Sequence, residues 1–209
     1  CQPAWPAYES SITFVGGRTR SVTTRLEDGW DIDLISLEEE LKLQPKMLIL
    51  NYPNNPTGKV LSESMFRETM ELAGKYRTPI LSDEVYASYC SKPVPSVLEY
   101  PDNEAIYINS FSKEFSMTGW RIAYVIANEH RIARMRRIVE TVLTNVPEFV
   151  QRAALAALKD SSRDAAASRD RIARRLEMAC RELRKGNLEF YCPDGGFYLF
   201  PHVQRRGID

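Results

Sequence analysis

Met47-Leu48-Ile49-Leu50-Asn51-Tyr52-Pro53-Asn54-Asn55-Pro56-Thr57-Gly58 is the stretch on which the fold turns. It begins as a short apolar run and breaks off into polar residues. A run of this length bounded by polar residues suits a strand buried on both faces of an α/β sheet. The two X-Pro steps and the glycine then force a fixed, irregular backbone that can aim an amide side chain. The same grammar recurs downstream: Pro79-Ile80-Leu81 runs into Ser82-Asp83-Glu84-Val85-Tyr86, and Ala105-Ile106-Tyr107-Ile108 leads to Ser110-Phe111-Ser112-Lys113. Residues 122–127 form a fourth apolar run. Between the first two runs, Ser62 stands as an N-cap ahead of Phe66, Met70, Ala73 and Tyr76, which recur at helical steps. Strand, helix, strand implies a parallel pair with a right-handed crossover. The link from Asn109 to Trp120 lies at the lower limit for such a crossover and has no clear helical period. The fourth strand is therefore expected to run antiparallel. The reading is α/β: a mostly parallel sheet with flanking helices and one reversed strand.

Beyond Asn128 the texture turns helical. Ile132, Met135, Val139 and Val142 form one stripe, Pro147 opens a second helix through Leu158, and Ile172, Leu176, Ala179 and Leu183 mark a third. Gly186-Asn187 ends it. Residues 188–191 and 197–200 then read as a hairpin around Pro193-Asp194-Gly195-Gly196, and residues 160–167 as an exposed turn. A composition shift near residues 145–147 divides the chain into a large domain over 1–145 and the start of a smaller α+β domain over 146–209.

Composition excludes several classes of function. Lys plus Arg and Asp plus Glu each count 28, and this neutrality argues against a chain built mainly to grip nucleic acid. No apolar run approaches the ~20 residues that span a bilayer. The four cysteines are scattered without a C-x-x-C pair, which argues against a zinc site or a disulfide framework and for reduced thiols in a cytoplasmic protein. Neither His130 nor His202 sits near a nucleophile signature, and both are expected at the surface. The opening Cys1-Gln2-Pro3-Ala4-Trp5-Pro6 and the closing Arg205-Arg206-Gly207-Ile208-Asp209 read as cut ends of an internal fragment.

Three segments thus end strands and deliver polar side chains, and ligands of open α/β sheets bind beyond the carboxyl ends of strands. Plain alternatives exist for each candidate. Lys113 can be a surface lysine, Asp83 a helix cap, Tyr86 a core aromatic, Asn55 a turn residue and Arg121 half of a structural ion pair. The Arg-rich stretch over 131–137 reads as the solvated face of a helix.

Taken together, N-x-P-x-N-P-T-G, D-E-x-Y and S-x-S-K with an Arg beyond the Lys resemble the class I/II aminotransferases, fold-type-I enzymes that use pyridoxal phosphate (PLP). The resemblance runs from Pro3-Ala4-Trp5-Pro6 to Gly195-Gly196-Phe197-Tyr198. It implies that Lys113 is the catalytic residue and holds the cofactor as a Schiff base. It implies that Asp83 faces the pyridine nitrogen, that Asn55 and Tyr86 donate to the ring oxygen, and that Ser110 and Arg121 hold the phosphate. No metal is implied. The Met117-Thr118-Gly119-Trp120-Arg121 stretch resembles the branch with aspartate, alanine, aromatic and kynurenine activities. Amino-acid and 2-oxo-acid substrates and a homodimer follow by the same resemblance, with neither nucleic acid nor membrane as partner. Two other functions share the scaffold: a PLP enzyme that does not transaminate (cyclase, oxidase, lyase or synthase), and the effector domain of a transcription regulator. The family's phosphate-binding glycine turn, ring-stacking aromatic, cross-interface tyrosine and carboxylate-binding arginine have no expected match in this stretch.

Overall fold

The computed structural model describes residues 1–100, 104–160 and 162–203, so the closing Arg205–Asp209 lies outside the described residues. Helices α1 (Ala7–Phe14) and α2 (Leu34–Lys42) precede strand β1 (Leu48–Asn51). Helix α3 (Glu63–Lys75) leads to β2 (Ile80–Asp83), and β3 (Ala105–Ser110) runs directly into the single turn α4 (Phe111–Glu114). Strand β4 (Ala123–Ile126) is followed by α5 (Glu129–Val142), α6 (Glu148–Asp160) and α7 (Ser162–Lys185).

The sheet has the order β1-β2-β3-β4, with the first three strands parallel and β4 antiparallel to β3. That matches the expected topology. Register matters more for function. Asn51 pairs with Asp83, and Asp83 with Ile108, so the ends of β1 and β2 lie level while β3 continues to Ser110. All three loops that carry candidate residues therefore leave the same edge of the sheet.

Helix α3 forms as its pattern implies. The Ser62 hydroxyl accepts from the Met65 N–H, and Phe66, Met70 and Ala73 turn one buried face toward β1 and β2. Burying a side chain the size of Phe66 or Met70 contributes about 1.5–3 kcal/mol. Leu37 and Leu41 of α2 join Leu50, Ile80, Val97 and Tyr107 in the same core. A second, smaller cluster sets Phe111 and Met117 against Ala154 and Ala157 of α6.

Several expectations need correction. The fourth strand is not buried on both faces: Tyr124, Val125 and Ile126 are exposed, because β4 is the sheet edge and no described element covers it. The stripe on α5 is likewise open, with Val139 and Val142 exposed, whereas the α7 stripe is half-buried as expected. The segment over 109–120 contains α4 and a 3₁₀ turn at Thr118–Trp120 despite its lack of a helical period. Residues 162–167 belong to α7, with Arg163, Asp164 and Ala167 exposed on its surface. The expected hairpin reduces to one antiparallel bridge between Glu189 and His202, because the 193–196 segment packs against the β1 loop and departs from strand geometry. His130 and His202 are exposed, as expected.

Candidate active site

The β1 loop is held from within by its own amides. Asn51 donates to the Asp83 carbonyl at 3.1 Å and accepts from the Asn55 N–H at 2.9 Å. Asn54, also buried, accepts from the Thr57 N–H at 3.0 Å and the Thr57 hydroxyl at 2.7 Å. Two asparagines thus build the turn, and the third, Asn55, keeps its amide free to reach outward. Its Nδ2 donates to the Tyr198 hydroxyl at 3.3 Å, and the Tyr86 and Tyr198 hydroxyls lie 2.9 Å apart.

The adjacent carboxylates of β2 divide their roles by side-chain direction. Glu84 turns inward, 2% exposed, and accepts from the Ser82 hydroxyl at 2.9 Å and the Val97 N–H at 3.0 Å. Asp83 turns toward the loops. It accepts from the Tyr8 hydroxyl at 2.6 Å and the Val85 N–H at 3.2 Å, which is no helix cap. Burial pushes its pKa above the usual carboxylate value, against those two hydrogen bonds. Burial and the Asp83 charge together raise the Tyr8 phenol, which stays a donor. Among the described residues no Lys or Arg forms an ion pair with Asp83.

Lys113 sits in the last turn of α4, its backbone pinned by the Tyr89 hydroxyl, which donates to the Lys113 carbonyl at 2.6 Å. Its Nζ lies 5.9 Å from the centre of the Tyr86 ring and 5.5 Å from that of Phe197. Among the described residues no carboxylate pairs with it. Ser110 caps α4, accepting from the Ser112 N–H at 3.0 Å, and its hydroxyl donates to the Ile122 carbonyl at 3.2 Å. Arg121 is exposed, has a left-handed backbone (φ 53°) and donates through Nη1 to the Thr118 carbonyl at 2.7 Å. The structure therefore gathers Asn55, Tyr86 and Lys113 around one aromatic cluster and joins Ser110 to the residue after Arg121. Among the described residues the Arg121 side chain bonds to the Thr118 carbonyl and not to that cluster.

Four aromatic side chains at the site escaped the sequence reading. Tyr8 holds Asp83, Tyr198 bridges Asn55 to Tyr86, and Phe197 packs edge-on against Tyr86 and Tyr89. Trp5 stands exposed and edge-on to Tyr8. The signal for Phe197 and Tyr198 was the double glycine before them. A Cβ on Gly195 would come within 2.2 Å of the Cys90 sulfur, so only glycine lets this segment press onto the β1 and β2 loops.

The family model for "Aminotransferase class I and II" matches residues 1–206. The chain belongs to the class I and II aminotransferases. It is 35% identical to an aspartate aminotransferase of Sulfolobus acidocaldarius, over 96% of this chain and 52% of that protein. It is 34% identical to that of Thermococcus kodakarensis, over 99% of this chain and 54% of that one. Among solved structures, the aromatic aminotransferase from Pyrococcus horikoshii superimposes with a TM-score of 0.92 at 31% identity, covering 97% of this chain and 56% of that one. The chain spans about half the length of the curated relatives it matches.

Aminotransferases of this family depend on PLP, and the side chains present fit it. A largely buried carboxylate without a cation suits a protonated pyridine nitrogen. An amide and two phenols converge where a ring oxygen would need donors, and the amine of Lys113 is unpaired beside them.

Proposed function

We propose that this chain is the cofactor-binding part of a PLP-dependent aminotransferase that passes an amino group between an α-amino acid and a 2-oxo acid. The observation that carries the reading is the unpaired Lys113 amine beside Tyr86, three residues beyond the half-buried, cation-free Asp83.

When bound, PLP supplies an aldehyde for amines and a ring that takes up the electron pair released at the substrate α-carbon. Lys113 Nζ would anchor the cofactor and, once displaced by substrate, move the proton between the two reacting carbons. Asp83 would keep the ring nitrogen protonated, with Tyr8 fixing the orientation of its carboxylate. Asn55 Nδ2 and the Tyr86 hydroxyl would donate to the ring oxygen. The Ser110 hydroxyl and the free arm of the Arg121 fork would meet the phosphate. Trp5 packs edge-on against Tyr8, the residue that holds the Asp83 carboxylate. The division near residue 145 is supported by the break between α5 and α6, where Thr144 has φ 64°. A homodimer of the full-length protein, cytoplasmic and bound to neither nucleic acid nor membrane, completes the reading. No described helix is long and apolar enough to cross a membrane.

The test is an absorbance titration with PLP of this chain and of the full-length protein, each beside Lys113→Ala. A long-wavelength band that the substitution abolishes is expected. A full-length protein that forms no such band sinks the reading. Amine exchange that depends on an added 2-oxo acid then separates transamination from other PLP chemistry.

A further inference from the structure

Cys180 and Cys192 belong to different structural elements, yet their sulfurs lie 3.0 Å apart. Cys180 sits near the end of α7 and is 1% exposed, while Cys192 sits in the irregular segment after it and is exposed. No other pair of cysteine sulfurs meets among the described residues. Neither thiol contributes to the proposed active site. Cys192 opens the segment that carries Phe197 and Tyr198 into that site, however, and the next residues are clamped to the β1 loop. The Asp194 and Gly195 N–H groups both donate to the Gly58 carbonyl, at 3.0 and 3.2 Å.

We propose that Cys180 and Cys192 are a reversible thiol–disulfide pair, in which Cys192 attacks and Cys180 resolves. Oxidation would staple the Phe197–Tyr198 segment to α7. A disulfide needs its sulfurs about 2 Å apart, so these two must close by only about 1 Å. Accessibility assigns the order of attack. Cys192 meets solvent and can reach an oxidant, whereas Cys180 is enclosed. Burial, with the Cys192 thiol beside it, also holds the Cys180 pKa above its ordinary value. Arg184, close by in the same helix, favours the Cys180 thiolate when that sulfur must act.

The oxidant class is a low-molecular-weight disulfide. The Cys192 thiolate attacks one of its sulfurs, forming a mixed disulfide and releasing one small thiol, which takes up the Cys192 proton. Cys180 then attacks Cys192 Sγ and gives its proton to the second small thiol as that leaves. Two protein thiols and one disulfide become one protein disulfide and two small thiols. The protein loses two electrons and the small disulfide gains them.

The experiment equilibrates this chain in glutathione buffers of increasing glutathione disulfide fraction, quenches with N-ethylmaleimide, and reads intact mass and a peptide map. Expected is the loss of two of the four alkylations, a Cys180–Cys192 cross-link, and reversal by dithiothreitol. Cys180→Ser should retain one glutathione on Cys192, and Cys192→Ser should form no cross-link. Cys192 is exposed, so Cys192→Ser keeps the test valid if the buried substitution prevents folding; circular dichroism checks this. A wild-type chain that stays fully alkylated, that keeps glutathione on Cys192, or that cross-links through Cys1 or Cys90 overturns the proposal. None of these readouts requires PLP, so the result stands apart from the proposed enzymatic function.

Discussion

At the ends of β1 and β2, Asn51, Asn54, Thr57 and Glu84 are buried and hydrogen-bonded, within the β1 loop or to a neighbouring segment, whereas beyond β3 Arg121 and the whole of β4 face solvent. The contrast follows from what each side chain has to do. A short carboxylate or amide can be aimed only by the backbone beneath it, so the loops carrying Asp83 and Asn55 need an ordered support. A long guanidinium can swing to its partner from a single anchor, and Arg121 is held through Nη1 alone. The half of the candidate site around Asp83 and Asn55 is supported by the core, and the half proposed to meet the phosphate is left to side-chain reach.

The contrast can be broken first in the core. Leu50→Ala, under the β1 loop at 1% exposure, should lower unfolding free energy by about 3 kcal/mol, while Ile138→Ala on the exposed face of α5 should stay within about 0.5 kcal/mol. Equal losses in urea denaturation would show that the two regions are supported alike. Gly58→Ala comes next, at about 2 kcal/mol. Gly58 has φ 70°, and a Cβ there would lie 2.5 Å from Pro193 Cβ, so the substitution strains the backbone and pushes the 193–196 segment away. Tyrosine fluorescence should report the separation of Tyr198 from Tyr86.

A smaller effect is expected at Asp83, and its sign is informative. Its folded pKa is raised by burial, so its contribution to stability is greatest below the ordinary carboxylate pKa and is lost as pH rises through the raised one. Without cofactor, Asp83→Asn should therefore be more stable than the parent at neutral pH by about 1 kcal/mol, with a flatter pH dependence, while PLP binding weakens. A destabilised variant would mean that the Tyr8 hydrogen bond outweighs the burial. The smallest change belongs to the Arg152–Glu148 pair on α6, both members of which are more than three-quarters exposed. Arg152→Gln should cost about 0.3 kcal/mol and less at high salt, measured by thermal denaturation.

Much of this was legible in the chain. The four apolar runs became the four strands, Ser62 became the cap, and the short link before β4 reversed that strand. The candidate residues Asn55, Asp83, Tyr86 and Lys113 could be singled out because each ends a strand or follows one closely in sequence. Tyr8 and Tyr198 could not. Tyr8 lies 75 positions from Asp83 and Tyr198 lies 112 from Tyr86, so no local pattern ties them together. The Cys180–Cys192 contact escaped for a related reason, since twelve residues separate them and a helix end sets their approach.

The sequence by itself determined the four strands and their direction in the sheet, the helix that follows β1, and which residue types stand at the strand ends, because hydrophobic period, caps and turn residues act over a few positions. Only the tertiary structure decided which of two adjacent carboxylates faces the site, which aromatics close around Lys113, and which strand lies open at the edge. Those outcomes depend on packing between segments far apart in the chain, where burial and hydrogen-bond satisfaction choose among arrangements that local pattern leaves equal.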